Sequence, residues 1–233
     1  MFSKEEFTKI IICSLFLGFI FSFNEWGYDT FNLAIGLKNL LISLIICLFL
    51  LLIKEYIRKI IAKKIGFDFK FDLWYLKLKN KGLSKTPIGI LIAIPLIIIS
   101  QGSFVFASIS TYNFKKFQKS DLKRRYRYIR GIEEAIISST SAITLTIFAL
   151  IFNVFYLKKA AFIATILAVY SIVPIPTQDG LKMYFGSKSY YILILSFVIL
   201  SLTLDKVLGL FATLIISIIL AFFIMLFSMN KLE

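Results

Sequence analysis

The sequence predicts an all-α polytopic membrane protein with about six transmembrane helices, a re-entrant hairpin and a small membrane-associated β-ribbon. Three observations predict it. Of 233 residues, 59% are hydrophobic, with a mean hydropathy of +0.86, which leaves too little polar surface to clothe a water-soluble core. The apolar residues are gathered into runs approaching the roughly 20 residues that a helical crossing needs. The net charge of +14 is concentrated in two stretches between those runs, as positive charge that fixes membrane orientation would be.

The first helix is expected at about 7–23. Lys4 and Lys9 precede the apolar run Ile10–Phe23 as in a signal peptide, but Glu5 and Glu6 dilute the basic region. The run leads into Asn24-Glu25-Trp26 without a small-residue cleavage site, so it reads as an uncleaved helix. The second, about 37–64, joins the apolar run Leu37–Ile53 to a charged tail, Lys54–Lys64. Cys13 and Cys47 both lie within apolar runs and read as small hydrophobic side chains.

At about 67–79 the period changes. Phe67, Phe69, Phe71 and Leu73 alternate with Asp68, Lys70 and Asp72, which is a strand pattern. The phase slips at Trp74-Tyr75, and Asn80-Lys81-Gly82 is a turn signal. A hairpin or extended ribbon is the expectation.

The next apolar stretch, 88–110, is interrupted by Pro95 and Gly102. It is flanked by Lys54–Lys85, with ten Lys/Arg against three acids, and by Lys115–Arg130, with eight against one. Both basic stretches belong on the cytoplasmic side, which a single crossing between them would prevent. A re-entrant hairpin resolves the conflict; seven crossings with one violated loop is the alternative. Further helices are expected at about 133–156, 160–174, 190–204 and 207–228. The whole chain, 1–233, is then one domain in a cell membrane with both termini cytoplasmic. Lys115–Arg130 is expected to touch anionic lipid headgroups. Arg125, Tyr126, Arg127 and Tyr128 also suit an acidic protein or RNA surface, but nothing specific supports that, and no nucleic-acid partner is expected.

Two segments stand out chemically. Pro174-Ile175-Pro176-Thr177-Gln178-Asp179-Gly180 breaks a helix end and places a carboxylate at membrane depth, where it is costly unless paired or ligating. Lys54 and Arg58 share one helix face, with Glu55 beside them. Taken individually, these are equally a helix-end turn in water and a basic helix end at the headgroups.

Together they resemble the site-2 protease family of intramembrane zinc metalloproteases. That family's helix carries His-Glu-x-x-His ahead of a glycine. Here Lys54-Glu55-Tyr56-Ile57-Arg58, ahead of Gly66, has the frame, with Lys54 and Arg58 where the zinc-binding histidines stand and Glu55 at the catalytic glutamate. The second motif, Asn-x-x-Pro-x-x-x-Leu-Asp-Gly, is matched in spacing by Ser171–Gly180, with Asp179 at the third ligand. Ser141-Ala142 lies where a Gly-Pro pair is usual, and Thr86-Pro87-Ile88-Gly89 near a Pro-x-Gly loop. The resemblance spans roughly 37–205.

The departures bear on activity. Zinc requires lone-pair donors, whereas Lys54 is normally a cation and Arg58 always one, and the chain has no histidine. The resemblance therefore implies a pseudoprotease without zinc or other cofactor. Clients would be bound as transmembrane segments along Phe69, Phe71, Trp74 and Tyr75 and at Pro174, Pro176 and Gly180. An active metalloprotease with unusual ligands and a small transporter or channel are the alternatives. Two fates stay open for the cations: Lys54 or Arg58 pairs with Asp179, or both snorkel to the headgroups.

Overall fold

A computed structural model describes residues 2–27, 31–75, 87–114 and 129–232. Its elements are α1 (Lys4–Ser22), α2 (Leu33–Ile65), β1 (Phe69–Leu73), α3 (Ile88–Ile99), β2 (Ser110–Phe114), α4 (Gly131–Val154), α5 (Lys158–Ile172), α6 (Asp179–Gly186), α7 (Lys188–Leu204) and α8 (Leu210–Leu232). Three helices are long and apolar enough to cross a membrane: Leu33–Ile65, Gly131–Val154 and Leu210–Met229; α3 and α7 are shorter apolar helices.

Local chemistry accounts for the helix starts. Ser3 and Glu6 form a capping box, in which the Ser3 hydroxyl accepts the Glu6 N–H and the Glu6 carboxylate accepts the Ser3 N–H. The Asn32 side chain accepts the Ala34 and Ile35 N–H groups to open α2. At 33 residues, α2 is about 50 Å long. It exceeds the roughly 30 Å apolar thickness of a bilayer, so its apolar and charged halves form one continuous rod.

α4 is the central post. Two-thirds of its apolar window is buried, against 28% for α2 and 17% for α8. It packs against α2, α5, α6 and α7, and its small residues Ser138, Ser141 and Ala142 are wholly buried. α8 packs chiefly on α7, where Ser201 donates to Ser217 at 2.9 Å. The core joins Ile10, Cys13 and Leu17 of α1 to Cys47 and Leu51 of α2 and to Leu145 of α4. Both cysteines are free and buried.

Of the hairpin or extended ribbon expected at 67–79, the described part is β1, and its partner strand comes from elsewhere in the chain. β1 pairs antiparallel with β2, from Phe69↔Phe114 to Leu73↔Ser110. Residues 76–86, with the turn signal Asn80-Lys81-Gly82, lie outside the described residues. The partner strand begins at Ser110, the last residue of the stretch expected to re-enter. Only Ile88–Ile99 is helix; the chain turns through Gln101 and Gly102, both at positive φ, and returns extended. A helix of 12 residues is about 18 Å long, too short to cross. Both limbs end at one ribbon, since Pro87 bridges Tyr75 and Ser110 pairs with Leu73. The segment thus doubles back, although its return limb is strand-like. α6 was not expected at all. It begins beyond the two prolines and is tightly docked. A Cβ on Gly180 would lie 2.4 Å from the Ile172 and Val173 carbonyl oxygens, and one on Gly186 would lie 2.4 Å from that of Gly131.

Candidate functional site

The two segments singled out in the sequence meet where α2, α4 and α6 converge. Lys54, Glu55 and Arg58 lie on α2, Ser141 on α4 and Asp179 at the start of α6; all five are buried. The Arg58 guanidinium joins them. Its Nη1 donates to the Glu55 carboxylate at 3.0 and 3.2 Å. Its Nη2 donates to Asp179 Oδ2 and to the Ser141 hydroxyl, which itself donates to Asp179 Oδ2. A planar fork can hold several acceptors at once in this way. Of the two fates open for the cations, Arg58 takes pairing with Asp179. Lys54 stays buried rather than snorkelling; among the described residues its ion-pair partner is Glu55, 3.8 Å away.

An aromatic floor supports the guanidinium. Arg58 lies 4.7 Å from the Tyr112 ring centre and 5.9 Å from that of Phe69, within cation–π range. The Tyr112 hydroxyl pairs with Ser138 at 2.7 Å. Lys182 also lies over the Tyr112 ring, 3.4 Å from its centre, and donates to the Tyr112 carbonyl at 2.7 Å. A neighbouring buried pair, Lys59 with Glu6 at 2.8 Å, ties α2 to α1.

These contacts set the protonation states. Burial alone pushes the Asp179 carboxyl up, but Arg58, with Lys54 and Lys182 beyond it, outweighs burial and holds it below the usual carboxylate value. Burial pushes the Lys182 ammonium down to about 8; Asp179 opposes the shift and Arg58 adds to it.

The residues do not fit zinc. The two carboxylates of the frame, Glu55 and Asp179, share one guanidinium between them, and the remaining frame position is the Lys54 ammonium. Among the described residues no three His, Cys, Asp or Glu side chains gather as a metal-holding set.

The expected client-binding residues divide. Pro174 and Pro176 are exposed beside the site, and Trp74 and Tyr75 are half-buried, whereas Gly180 is buried. Phe69 and Phe71 are completely buried: the alternation that marks β1 turns both inward, so neither offers a surface. The outer edge of β1 is also engaged. The Phe69, Phe71 and Leu73 N–H groups donate to Asp68, Glu6 and Asp72, respectively. A client strand therefore finds alternate donors of β1 already occupied. The stretch Lys115–Arg130, expected to touch lipid headgroups, lies outside the described residues except for Ile129 and Arg130.

An apolar groove of about 360 Å³ is lined by Ile57 and Ile61 of α2, Ile143 and Phe148 of α4 and Tyr190 of α7, among others. Ile57 and Ile61 follow Lys54 and Arg58 by three residues each, so groove and ion pair occupy adjoining faces of α2. Sequence reasoning did not find Tyr112, Lys182, Lys59 and Glu6, nor the hydrogen bonds of Ser141. The one signal available was the clustering of small hydroxyl residues on α4 at Ser138–Ser141.

No family model matches the chain, nor does any curated protein or solved structure.

Proposed function

We propose that this chain is a non-proteolytic membrane protein of site-2-protease-like architecture that holds transmembrane segments of client proteins without cutting them. In this proposal it crosses a cell membrane about six times, with α1, α5 and α7 adding to the three long apolar helices. The 88–110 segment re-enters, both termini are cytoplasmic and no cofactor is used. One observation carries it: Arg58 sits between Glu55 and Asp179, positions that in the resembling family hold the catalytic glutamate and a metal ligand. A fixed cation neutralises the carboxylate there, keeping α2 docked on α6 with no need of a metal ion. The groove beside it gives a client helix an apolar seat. The hydroxyls of α4 favour packing over a conducting path, since Ser138 bonds Tyr112, Ser139 bonds Tyr190 and Thr146 bonds the Ala142 carbonyl.

The test places a photoreactive residue at Ile143 in the groove or at Ile219 on α8, in vesicles that also contain a labelled single-span apolar peptide. Adducts concentrated at Ile143, with the peptide intact, are expected. Equal labelling at both positions, or cleaved peptide, contradicts the proposal.

A further inference from the structure

Next to the ion pair is a small cavity of about 20 Å³. Leu17, Leu51 and Leu167 are among its apolar walls. Ser110, Tyr170 and Ser171 also line it, the last two donating to the Val105 and Leu167 carbonyls, together with four further polar residues, Lys54, Ser108, Gln178 and Asp179. These four polar residues come from α2, the limb leading into β2, and the turn that opens α6. They are 6, 4, 5 and 7% exposed, respectively. Among the described residues, Ser108 Oγ, Gln178 Nε2 and Asp179 Oδ1 have no hydrogen-bond partner, and the carboxylate of Glu55 is 3.8 Å from the Lys54 ammonium, beyond hydrogen-bonding distance. Buried polar groups are satisfied as a rule, so three unpartnered atoms and a loosely paired ammonium around one cavity point to a shared ligand.

We infer that this cavity binds a single ordered water molecule that links Lys54 to Asp179. The size fits, since a water needs about 10–15 Å³ of such space and two to four polar partners. The hydrogen-bond balance fits as well. Water accepts twice and donates twice: it accepts from Lys54 Nζ and Gln178 Nε2, and donates to Asp179 Oδ1 and Ser108 Oγ. Charge excludes the ionic occupants. A cation would face Lys54 with Arg58 close by, and an anion would face Asp179 with Glu55 close by. Asp179 then neutralises both cations of the frame, Arg58 directly through Oδ2 and Lys54 through water on Oδ1. The inference rests on the cavity and the groups around it, independently of the family resemblance and of any client.

A high-resolution crystal structure of the purified full chain tests it. The expected result is an isolated density peak with Lys54, Gln178, Ser108 and Asp179 atoms at about 2.7–3.2 Å. Absence of a peak overturns the inference, as does a peak with anomalous scattering and contacts near about 2.0–2.2 Å, which marks a metal. In solution, labelled protein should show a water cross-relaxation peak to the Gln178 side-chain amide, and Ser108→Val, which fills the cavity, should abolish it. No such peak in the wild type, or an undiminished peak in a folded Ser108→Val variant, also overturns the inference.

Discussion

Arg58 bonds to partners on two other helices, and at this position its shape is as important as its charge. A lysine has the charge but lacks the planar fork that reaches Glu55 with one nitrogen and Asp179 and Ser141 with the other. Removing one member of a buried ion pair costs about 3–5 kcal/mol because the other is left uncompensated. Asp179→Ala should therefore destabilise the detergent-solubilised protein by about that much. Asp205→Ala, which loses only an exposed hydrogen bond from Asn153, should have an effect several-fold smaller; thermal unfolding measures both. Arg58→Lys should behave more like a deletion than a conservative change. The Lys182 ammonium supplies a pH dependence. Its folded value of about 8 lies below the ordinary 10.5, so between these values the unfolded chain binds more protons and stability rises with pH. The gain should be about 1–3 kcal/mol between pH 8 and 10.5, and Lys182→Met should flatten it in the same unfolding experiment. At this scale the sequence showed Lys54, Glu55, Arg58 and Asp179 through their spacing, because helix periodicity and a proline-broken turn are local patterns. The Arg58–Asp179 pairing spans 121 positions and the Tyr112 floor belongs to a strand, so neither leaves a local trace.

Element boundaries followed local chemistry more closely than strand partners did. α2 and α4 announce themselves by long apolar runs, and β1 by strict alternation. β2 was hidden because Phe104–Ile109 continues the apolar character of α3, and a short apolar run reads equally as helix or strand. α6 was hidden by its own preface: Pro174, Pro176 and Gly180 look like one break in the chain, yet the helix starts at Asp179, past the prolines, and takes in Gly180. The glycine in the Asp179-Gly180 pair has a steric reason, since any side chain at Gly180 meets the Ile172 and Val173 carbonyls. Gly180→Ala should displace α6 and cost about 1–3 kcal/mol, visible as a lowered unfolding midpoint. A midpoint equal to that of the wild type would show that α6 is not held so tightly. The β1 edge changes the expected mode of client binding. With its alternate amides taken by Asp68, Glu6 and Asp72, β1 acts as a buried wall of the site, and the groove on α2, α4 and α7 becomes the candidate client seat.

At the scale of the whole molecule, the buried charge among the described residues is concentrated in one region of the bundle. Glu6, Lys54, Glu55, Arg58, Lys59 and Asp179 are all buried there, binding α1, α2 and α6 together. The topology in the proposal puts this region near the cytoplasmic face. In that arrangement, cysteines introduced at Lys4, Lys70 and Asn113 label with an impermeant maleimide from the cytoplasmic side alone, while buried Cys13 and Cys47 stay unreactive. Labelling of Lys4 and Lys70 positions from opposite sides would break the topology. The central claim, that fixed positive charge stands where the resembling proteins hold zinc, is tested most directly by metal analysis of two folded proteins. The wild type should hold far less than one zinc per chain. Lys54→His combined with Arg58→His restores two imidazoles beside Asp179 and should bind about one zinc per chain. A folded double variant that binds no zinc, or a wild type that binds it stoichiometrically, would contradict the account.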